Sequence, residues 1–302
     1  MQKAGAESYE SILAREISSL VHREGSQPSP VEGVTLLRLS GPVPRMPVLY
    51  EPALVFVAQG IKHGWVGSRS FIYGPNNYLV LAAPLPFECE TIATAAEPLL
   101  SVYIRLRRET VAELLAGLSA ERTPIAIAPQ TIEAVPMDRD ISDALLRLLH
   151  AMHSPDDSRL LGPQLVREIV YRVLTGPQGS ALRAMVGFDS HFSQICRALH
   201  QMHADYAKNL NIAQLARLAG MSPSVFHLHF KSVASTTPVQ YLKSIRLHKA
   251  RSLMIDEGLG VASAAARVGY ESPSQFSREF KRYFGHPPTS AASRIRSAPM
   301  LD

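Results

Sequence analysis

Two short stretches near the end of the chain carry the same hydroxyl, aromatic and basic side chains at the same spacing. The pattern Ser-Pro-Ser-x-Phe-x-x-x-Phe-Lys occurs at 222–231 and again at 272–281. On a helix, the two phenylalanines of each copy share one face, because residues four apart are neighbours. The polar and basic groups on the opposite face are of the types that hydrogen-bond to base edges and phosphates. The repeat therefore favours two helices that read DNA.

The two copies offer different contacts. Arg278 is best suited to a base contact, because a guanidinium can donate two hydrogen bonds to guanine O6 and N7. Lys281 and Arg282 are better placed for phosphates, although all three can also be solvated charges on a surface helix. Leu228 stands where a polar side chain is expected, so it either packs into the core or touches a thymine methyl. The DNA-contacting candidates are Ser222, Ser224, His227, Lys231, Lys243, Arg246, Ser272, Ser274, Gln275, Arg278, Lys281 and Arg282.

The elements around each copy must position these side chains. Each copy opens with a Ser N-cap and a Pro at the first helical position, and follows an alanine-rich helix that ends at Gly220 or Gly269. Two helix-turn-helix units are the natural interpretation. A helix from Pro238 to about Asp256 joins them, and about 19 residues give a rod of roughly 28 Å. This approaches the roughly 34 Å that separates successive major grooves on one face of DNA.

The charge of the chain is unevenly distributed. Residues 191–302 carry 14 Lys and Arg against 6 Asp and Glu, a net charge of +8, whereas residues 1–190 carry 17 against 20, a net charge of −3. Phosphate binding releases condensed counterions, so this asymmetry favours a polyanion partner for the C-terminal third. Charge alone does not distinguish such a partner from a solubilising surface.

The rest of the chain predicts a second, strand-rich unit. With 302 residues and 46% hydrophobic content, about two domains are expected. Amphipathic periodicity predicts helices at 10–22, 109–118, 140–152 and 162–174, the last two as a hairpin divided by a Pro-Asp-Asp turn at 155–157. Short apolar runs at 35–39, 54–59, 78–82 and 99–105 predict strands of a sandwich or small barrel. Breaker residues place the domain boundary at 175–180 or 188–191.

Several classes of protein are disfavoured. The first 25 residues lack the apolar segment of a secretory signal, and no apolar run is long enough for a membrane span, so a cytoplasmic protein is expected. Cys89 and Cys196 fall in different predicted domains and are expected to be small core residues in a reducing compartment.

A metalloenzyme is the alternative considered for the strand-rich region. His63 is the only histidine in 33–107, so three ligands cannot be assembled there. His200 and His203 have ligand spacing but no third partner, and are expected to lie at the surface. No nucleophile elbow, phosphate-binding glycine loop or Cys-x-x-Cys pair is present. No catalytic residue, metal or cofactor is therefore expected.

Three motifs together resemble the AraC/XylS family of transcriptional regulators. They are Leu-Ala-x-x-Ala-Gly-Met-Ser at 215–222, Pro-x-x-Tyr-x-x-x-x-Arg-Leu-x-x-Ala-Arg at 238–251, and the segment 268–282. The resemblance covers 195 to about 296. In the front half, Tyr-Glu-Pro at 50–52, Gln-Gly at 59–60 and Leu-Pro at 85–86 resemble the cupin-like N-terminal domain of one branch, as do Tyr-Leu at 78–79 and Glu-Ile at 168–169.

The resemblance implies an α+β chain of two domains. A cupin-like β-barrel with flanking helices would occupy 1–185, and an all-α domain of two helix-turn-helix units joined by a long helix would occupy 190–298. Its partners would be double-stranded DNA, a small-molecule effector, RNA polymerase and a second copy of the chain, with no membrane. Many members have Arg where Leu228 stands, and that Arg contacts DNA. This departure puts the base specificity of the first unit in doubt, and the second unit is expected to recognise more of the DNA site.

The barrel is the expected place for an effector. A sensor needs an apolar pocket with a few polar groups, and the candidates on the predicted strands are Tyr50, Trp65, Tyr78, Phe87 and Cys89. The same aromatic side chains can equally be ordinary core or surface residues. A front domain that serves only for dimerisation or protein contacts is the other possibility that the sequence leaves open.

Overall fold

Ten strands in two antiparallel sheets form the front half of the molecule. The computed structural model describes residues 8–118, 131–177, 179–187 and 191–290. The strands are β1 Gly25–Pro28, β2 Val34–Leu39, β3 Val43–Tyr50, β4 Ala53–Gln59, β5 Ile61–Val66, β6 Arg69–Tyr73, β7 Asn77–Leu81, β8 Leu85–Ile92, β9 Leu99–Arg105 and β10 Ile132–Pro136. The order is β1-β2-β9-β4-β7-β10 in one sheet and β3-β8-β5-β6 in the other.

The two sheets enclose a common interior. In β8 every second residue from Leu85 to Thr91 is buried, which is the alternation of a strand with one solvated face. Strand β4 is buried on both faces from Ala53 to Ala58, because the interior covers one face and helix α1, Tyr9–Leu20, packs on the other. The four strands predicted from short apolar runs are all confirmed. The prediction missed the other six.

A layer of helices follows the sheets. These are α2 Arg108–Ala116, α3 Arg139–Ala151, α4 Pro155–Leu160, α5 Gly162–Thr175 and α6 Gly179–Val186. The predicted hairpin of α3 and α5 is confirmed, and Arg147 joins the two helices through Glu168 at 2.7 Å. The turn predicted at 155–157 is wrong. Ser154 accepts a hydrogen bond from the Asp157 amide and Pro155 occupies the first turn, so these residues begin helix α4 instead.

The C-terminal part is helical. Its helices are α7 His191–Ala204, α8 Ile212–Leu218, α9 Pro223–Ala234, α10 Pro238–Asp256, α11 Val261–Arg267 and α12 Pro273–Phe284. The predicted 19-residue connecting helix is confirmed as α10. The turns before α9 and α12 contain Gly220 and Gly269 at φ angles of +68° and +85°. A Cβ on Gly269 would lie 2.4 Å from the Ala207 carbonyl oxygen, so that turn has no room for a side chain.

The buried apolar residues form two clusters. The larger one runs without interruption from the barrel through α7, α8 and α9 to the first half of α10, where it includes Tyr241 and Ile245. The smaller one contains Leu247, Ala250 and Met254 of α10 together with α11 and α12. The first helix-turn-helix unit therefore shares a core with the barrel, whereas the second unit has a core of its own.

Candidate nucleic-acid interface and barrel interior

Helix α9 separates its apolar and polar side chains as the repeat predicts. Phe226 and Phe230 are fully buried, and their rings lie 5.4 Å apart. Ser224, His227 and Lys231 are exposed on the other side. Leu228 is 68% exposed, so of its two sequence interpretations packing into the core is wrong. An apolar side chain thus stands at the centre of the polar face of α9.

Helix α12 repeats this arrangement with a stronger basic face. Phe276 and Phe280 are fully buried, while Arg278, Lys281 and Arg282 are exposed. Ser274 and Gln275 are also exposed at its N-terminal end. The Ser272 hydroxyl accepts a hydrogen bond from the Gln275 amide at 3.3 Å. No side-chain capping bond forms at Ser222, the matching N-cap of α9, so its hydroxyl remains open to another donor or acceptor.

Lys243 and Arg246, two further predicted DNA contacts, are engaged within the protein. Lys243 Nζ lies 2.8 Å from Glu279 Oε1, and the Tyr270 hydroxyl donates to Glu279 Oε2 at 2.8 Å. Burial acts to raise the pKa of Glu279, but these hydrogen bonds outweigh it and lower the pKa overall. The Arg246 guanidinium donates to the backbone oxygens of Tyr206 and Lys208. Lys243 and Arg246 therefore hold α10 against its neighbours, and their contact with DNA stays a prediction.

His203 is not a surface residue, so that prediction is wrong. Its side chain is only 10% exposed, and its Nδ1 lies 3.3 Å from Glu51 Oε1 of the barrel. The Tyr241 hydroxyl donates to the Pro84 carbonyl at 2.8 Å, so His203 Nε2 is the donor in its 2.8 Å contact with that hydroxyl. Burial raises the pKa of Glu51, but His203 outweighs this effect and lowers it overall.

These contacts make a polar link between the two halves of the molecule. Glu51 and Pro84 belong to the barrel, whereas His203 and Tyr241 lie on α7 and α10. A second link lies at the end of α9, where the Thr131 hydroxyl donates to the Val233 carbonyl at 2.7 Å. Helix α9 and the barrel are therefore joined by a buried hydrogen bond as well as by a common core.

The predicted effector-binding residues divide into three groups. Tyr50, Phe87 and Cys89 face the interior between the sheets, and the rings of Tyr50 and Phe87 lie 5.0 Å apart. Tyr78 lies on the opposite face of the six-stranded sheet, where it stacks on Phe56. Trp65 lies on the outer face of the four-stranded sheet beneath the Arg45 guanidinium. Trp65 and Phe87 also border one cavity with Gln240 and Arg282 of the helical part, and the effector-binding role of all five residues stays a prediction.

The interior also contains polar residues that the sequence analysis missed. Lys62 and Tyr73 are buried beside Cys89, and Ser101 is buried on β9. Burial acts to lower the pKa of Lys62, but the negative charge that Cys89 and Tyr50 can carry outweighs it and raises the pKa. The available signal was the period of β5, in which Lys62 alternates with the apolar interior positions Gly64 and Val66.

The described residues show no metal cluster, disulfide or membrane-spanning helix. They contain no group of three or more His, Cys, Asp or Glu side chains that could hold a metal ion. Both cysteines are unpaired and buried, and burial raises the pKa of the Cys196 thiol to about 12. No helix in the described ranges has the length and apolar character needed to cross a bilayer.

Two family models match the chain. The model of the AraC-type transcriptional regulator N-terminus matches residues 30–181, which is half of the chain, and a helix-turn-helix domain model matches residues 215–294. Strand β2 through helix α5 fall in the first region, and helices α9 to α12 fall in the second.

Curated relatives support the same assignment over part of their length. The raffinose operon regulatory protein RafR of Pediococcus pentosaceus is 29% identical over 150 residues, which cover 50% of this chain and 52% of that protein. A putative AraC-like transcription regulator of Streptomyces lividans is 31% identical over 138 residues, 45% of each chain. The chain thus spans about half the length of the curated relatives it matches.

The architecture as a whole resembles solved structures. Fatty acid-bound wild-type ToxT from Vibrio cholerae strain SCE256 superimposes with a TM-score of 0.63 at 13% identity, over 90% of this chain and 97% of that one. The ToxT structure from strain O395 gives a TM-score of 0.55 at 12% identity, over 86% and 96%. At these identities the likeness shows the fold alone.

Proposed function

Since the chain belongs to the family of AraC-type transcriptional regulators, we propose that it binds specific sites on double-stranded DNA through α9 and α12 and so regulates transcription. The observation that carries this proposal is the duplicated frame of the two helices. Each helix buries two phenylalanines four residues apart, and each presents hydroxyl and basic side chains to solvent. A surface that was charged only for solubility would not need the same arrangement of buried phenylalanines and exposed polar residues in both helices.

The spacing of the helices supports the same proposal. Helix α10 has 19 residues, and its length of roughly 28 Å suits two helices that enter successive major grooves. We propose that α12 reads bases mainly through Arg278, with Gln275 and Ser274 beside it. Lys231, Lys281 and Arg282 would bind phosphates. On α9, exposed Leu228 offers a methyl contact to thymine instead of a hydrogen bond.

We also propose that a small molecule in the barrel controls this binding. The two buried polar links and the common core connect the barrel directly to the first helix-turn-helix unit and to α10. A ligand that favours one arrangement of these contacts would change the affinity for DNA to the extent that it prefers that arrangement. A regulator of this kind acts where DNA is, so a cytoplasmic location follows from the proposal. Contacts with RNA polymerase and with a second copy of the chain stay predictions.

Selection of binding sites from genomic DNA, followed by fluorescence anisotropy on the recovered sequence, tests the function. We expect the recovered site to bind at least about 1,000-fold more tightly than a scrambled duplex of equal length, the lower end of the range for specific regulators. The double variant Arg278→Ala/Lys281→Ala should lose this preference. The matched control is Arg139→Ala/Arg159→Ala, which removes two exposed arginines of the front half. Equal affinity for all duplexes would refute sequence-specific binding.

A further inference from the structure

A lysine is buried inside the barrel without a carboxylate partner. Lys62 lies on the inner face of β5 and is 4% exposed. No Asp or Glu of the described residues forms an ion pair with it. Lysine is rarely buried unless it is paired, because removing an ammonium group from water costs several kcal/mol or more. The fold therefore places a buried cation beside a hydroxyl and a thiol rather than a carboxylate, and a ligand that supplies a full negative charge would lower the cost of burying it.

The groups around Lys62 can all donate hydrogen bonds. Its Nζ lies 3.2 Å from the Tyr50 hydroxyl and 3.9 Å from Cys89 Sγ. The Tyr73 hydroxyl lies 3.7 Å from the same sulfur. An ammonium has three protons and accepts no hydrogen bond, and among the described residues Lys62 Nζ has two acceptors, Tyr50 Oη and Cys89 Sγ, the latter of which itself donates to the Glu90 carbonyl. The group that satisfies such a cluster is an acceptor with several lone pairs, such as a carboxylate.

A buried hydroxyl faces the same interior without a partner. Ser101 is 1% exposed, and its Oγ has no hydrogen-bond partner. Residues two apart on a strand share a face, so Ser101 points to the same side of β9 as Tyr103. That side is the interior, because the Tyr103 ring lies 6.3 Å from the Tyr50 ring of the opposite sheet. An unsatisfied buried hydroxyl costs about 1–3 kcal/mol, and a polar ligand atom would remove this penalty too.

The walls of this interior are aromatic. Tyr50 meets Phe87 edge to face at 5.0 Å, and Phe71 lies 5.9 Å from both Phe87 and Tyr73. Rings around a few convergent polar groups are typical of sites for small organic ligands. An apolar ligand body would contact these rings, while its charged end would meet the polar cluster.

We propose that the barrel interior binds a small organic monocarboxylate, with the carboxylate on Lys62 and the donors of Tyr50, Tyr73 and Ser101, and the apolar body against Phe71 and Phe87. This assignment rests on the proposed function, in which a barrel ligand controls DNA binding, and it names the class of that ligand. The interaction is one of charge and hydrogen bonds, and no bond is formed or broken.

Matched pairs of acids and amides test the assignment. The probes are phenylacetate, cyclohexanecarboxylate and hexanoate, each beside its primary amide, which has the same body without the charge. Titration calorimetry on the full chain should show that at least one acid binds at least tenfold more tightly than its amide. Lys62→Met should abolish this preference by weakening the binding of the acid to that of its amide. The control Lys208→Met, which removes an exposed lysine, should bind as the wild type does.

Three results would overturn the assignment: none of the acids binds, acid and amide bind equally, or Lys62→Met still prefers the acid. If Lys62→Met does not fold, Ser101→Ala and Tyr73→Phe replace it, because each removes one hydroxyl with little change of volume. Both should weaken the acid at least threefold more than the amide, and no selective effect in either variant would also count against the assignment.

DNA binding without any acid is measured on the same samples. A wild type that binds its selected DNA site but discriminates no acid from its amide contradicts this inference alone. A wild type that discriminates acids but recognises no DNA sequence contradicts the proposed function and leaves the ligand class standing.

Discussion

At the scale of single residues, Arg278 and Lys281 should have separable effects on DNA binding. Both side chains are exposed on α12, three positions apart. Arg278→Ala should cost about 1–3 kcal/mol on the selected site and relax the preference at one or two base pairs, because a bidentate base contact is lost. Lys281→Ala should weaken binding to all sequences and reduce the slope of log affinity against log salt by about 1. Anisotropy titrations at several salt concentrations on single-base variants distinguish the two. Identical affinity profiles for Arg278→Ala and the wild type would remove α12 from the reading role.

A buried histidine on α10 makes stability depend on pH. Burial, assisted by the charges of Arg251 and Lys249, lowers the pKa of His248 to about 3. The unfolded chain binds this proton near pH 6.5 and the folded chain does not, so the contribution of His248 to stability is complete above pH 6.5 and is lost as pH falls towards 3. The free energy of unfolding should fall by about 2 kcal/mol between pH 6.5 and 5.

Thermal unfolding from pH 7 to pH 5 checks this effect. In His248→Gln the decline should be smaller than in the wild type. His200→Gln, which replaces an exposed histidine of α7, should leave the decline unchanged. Parallel pH profiles for the wild type and His248→Gln would contradict the buried, neutral state of His248, whose Nε2 lies 3.2 Å from the Tyr283 hydroxyl.

At the scale of elements, the two turns before the reading helices should differ in their tolerance of a side chain. Both glycines have positive φ, which costs an alanine about 1–2 kcal/mol. Nothing lies within 4 Å of a Cβ at Gly220, whereas a Cβ at Gly269 would meet the Ala207 backbone at 2.4 Å. Gly220→Ala should therefore lower the free energy of unfolding by about 1 kcal/mol, and Gly269→Ala by about 3 kcal/mol or more. Urea denaturation of the two variants supplies the comparison, and equal losses would show that the close approach at Gly269 relaxes freely.

The sequence predicted helices better than strands, for physical reasons. The ends of α9, α10 and α12 coincide with Ser, Thr, Pro and Gly residues that cap or terminate a helix locally. By contrast, β3, β5 and β6 mix charged, small and aromatic residues, because their outer faces are solvated and their inner faces contain a polar cluster. Their pairing is long-range, so no local pattern identifies them. The same contrast holds for the candidate site. Helical periodicity predicted which residues of α12 are exposed, whereas the burial of Lys62 depends on which strands pair with β5.

At the scale of the whole molecule, the hydroxyl of Tyr241 should stabilise the junction between the barrel and the helical part. Tyr241→Phe leaves the Pro84 carbonyl and His203 without their shared partner, at a cost of about 1–3 kcal/mol. Tyr206→Phe is the control, since no hydrogen bond of its hydroxyl is found among the described residues. Chemical denaturation measures the loss, and hydrogen exchange should show it concentrated in α7 and α10. A loss no larger than that of Tyr206→Phe would mean that water replaces the missing hydroxyl.

Because the core is divided into two clusters, the two parts of the chain should unfold one after the other on warming. The small cluster of α11, α12 and the end of α10 has few buried side chains to resist thermal agitation, so it should fray first on warming and become the earliest target of a protease. The barrel and α9 would remain folded, and this part of the protein could still bind its half of the DNA site. Such a remnant would lack Arg278, the residue proposed to read bases, so warming should reduce sequence selectivity before it abolishes DNA binding.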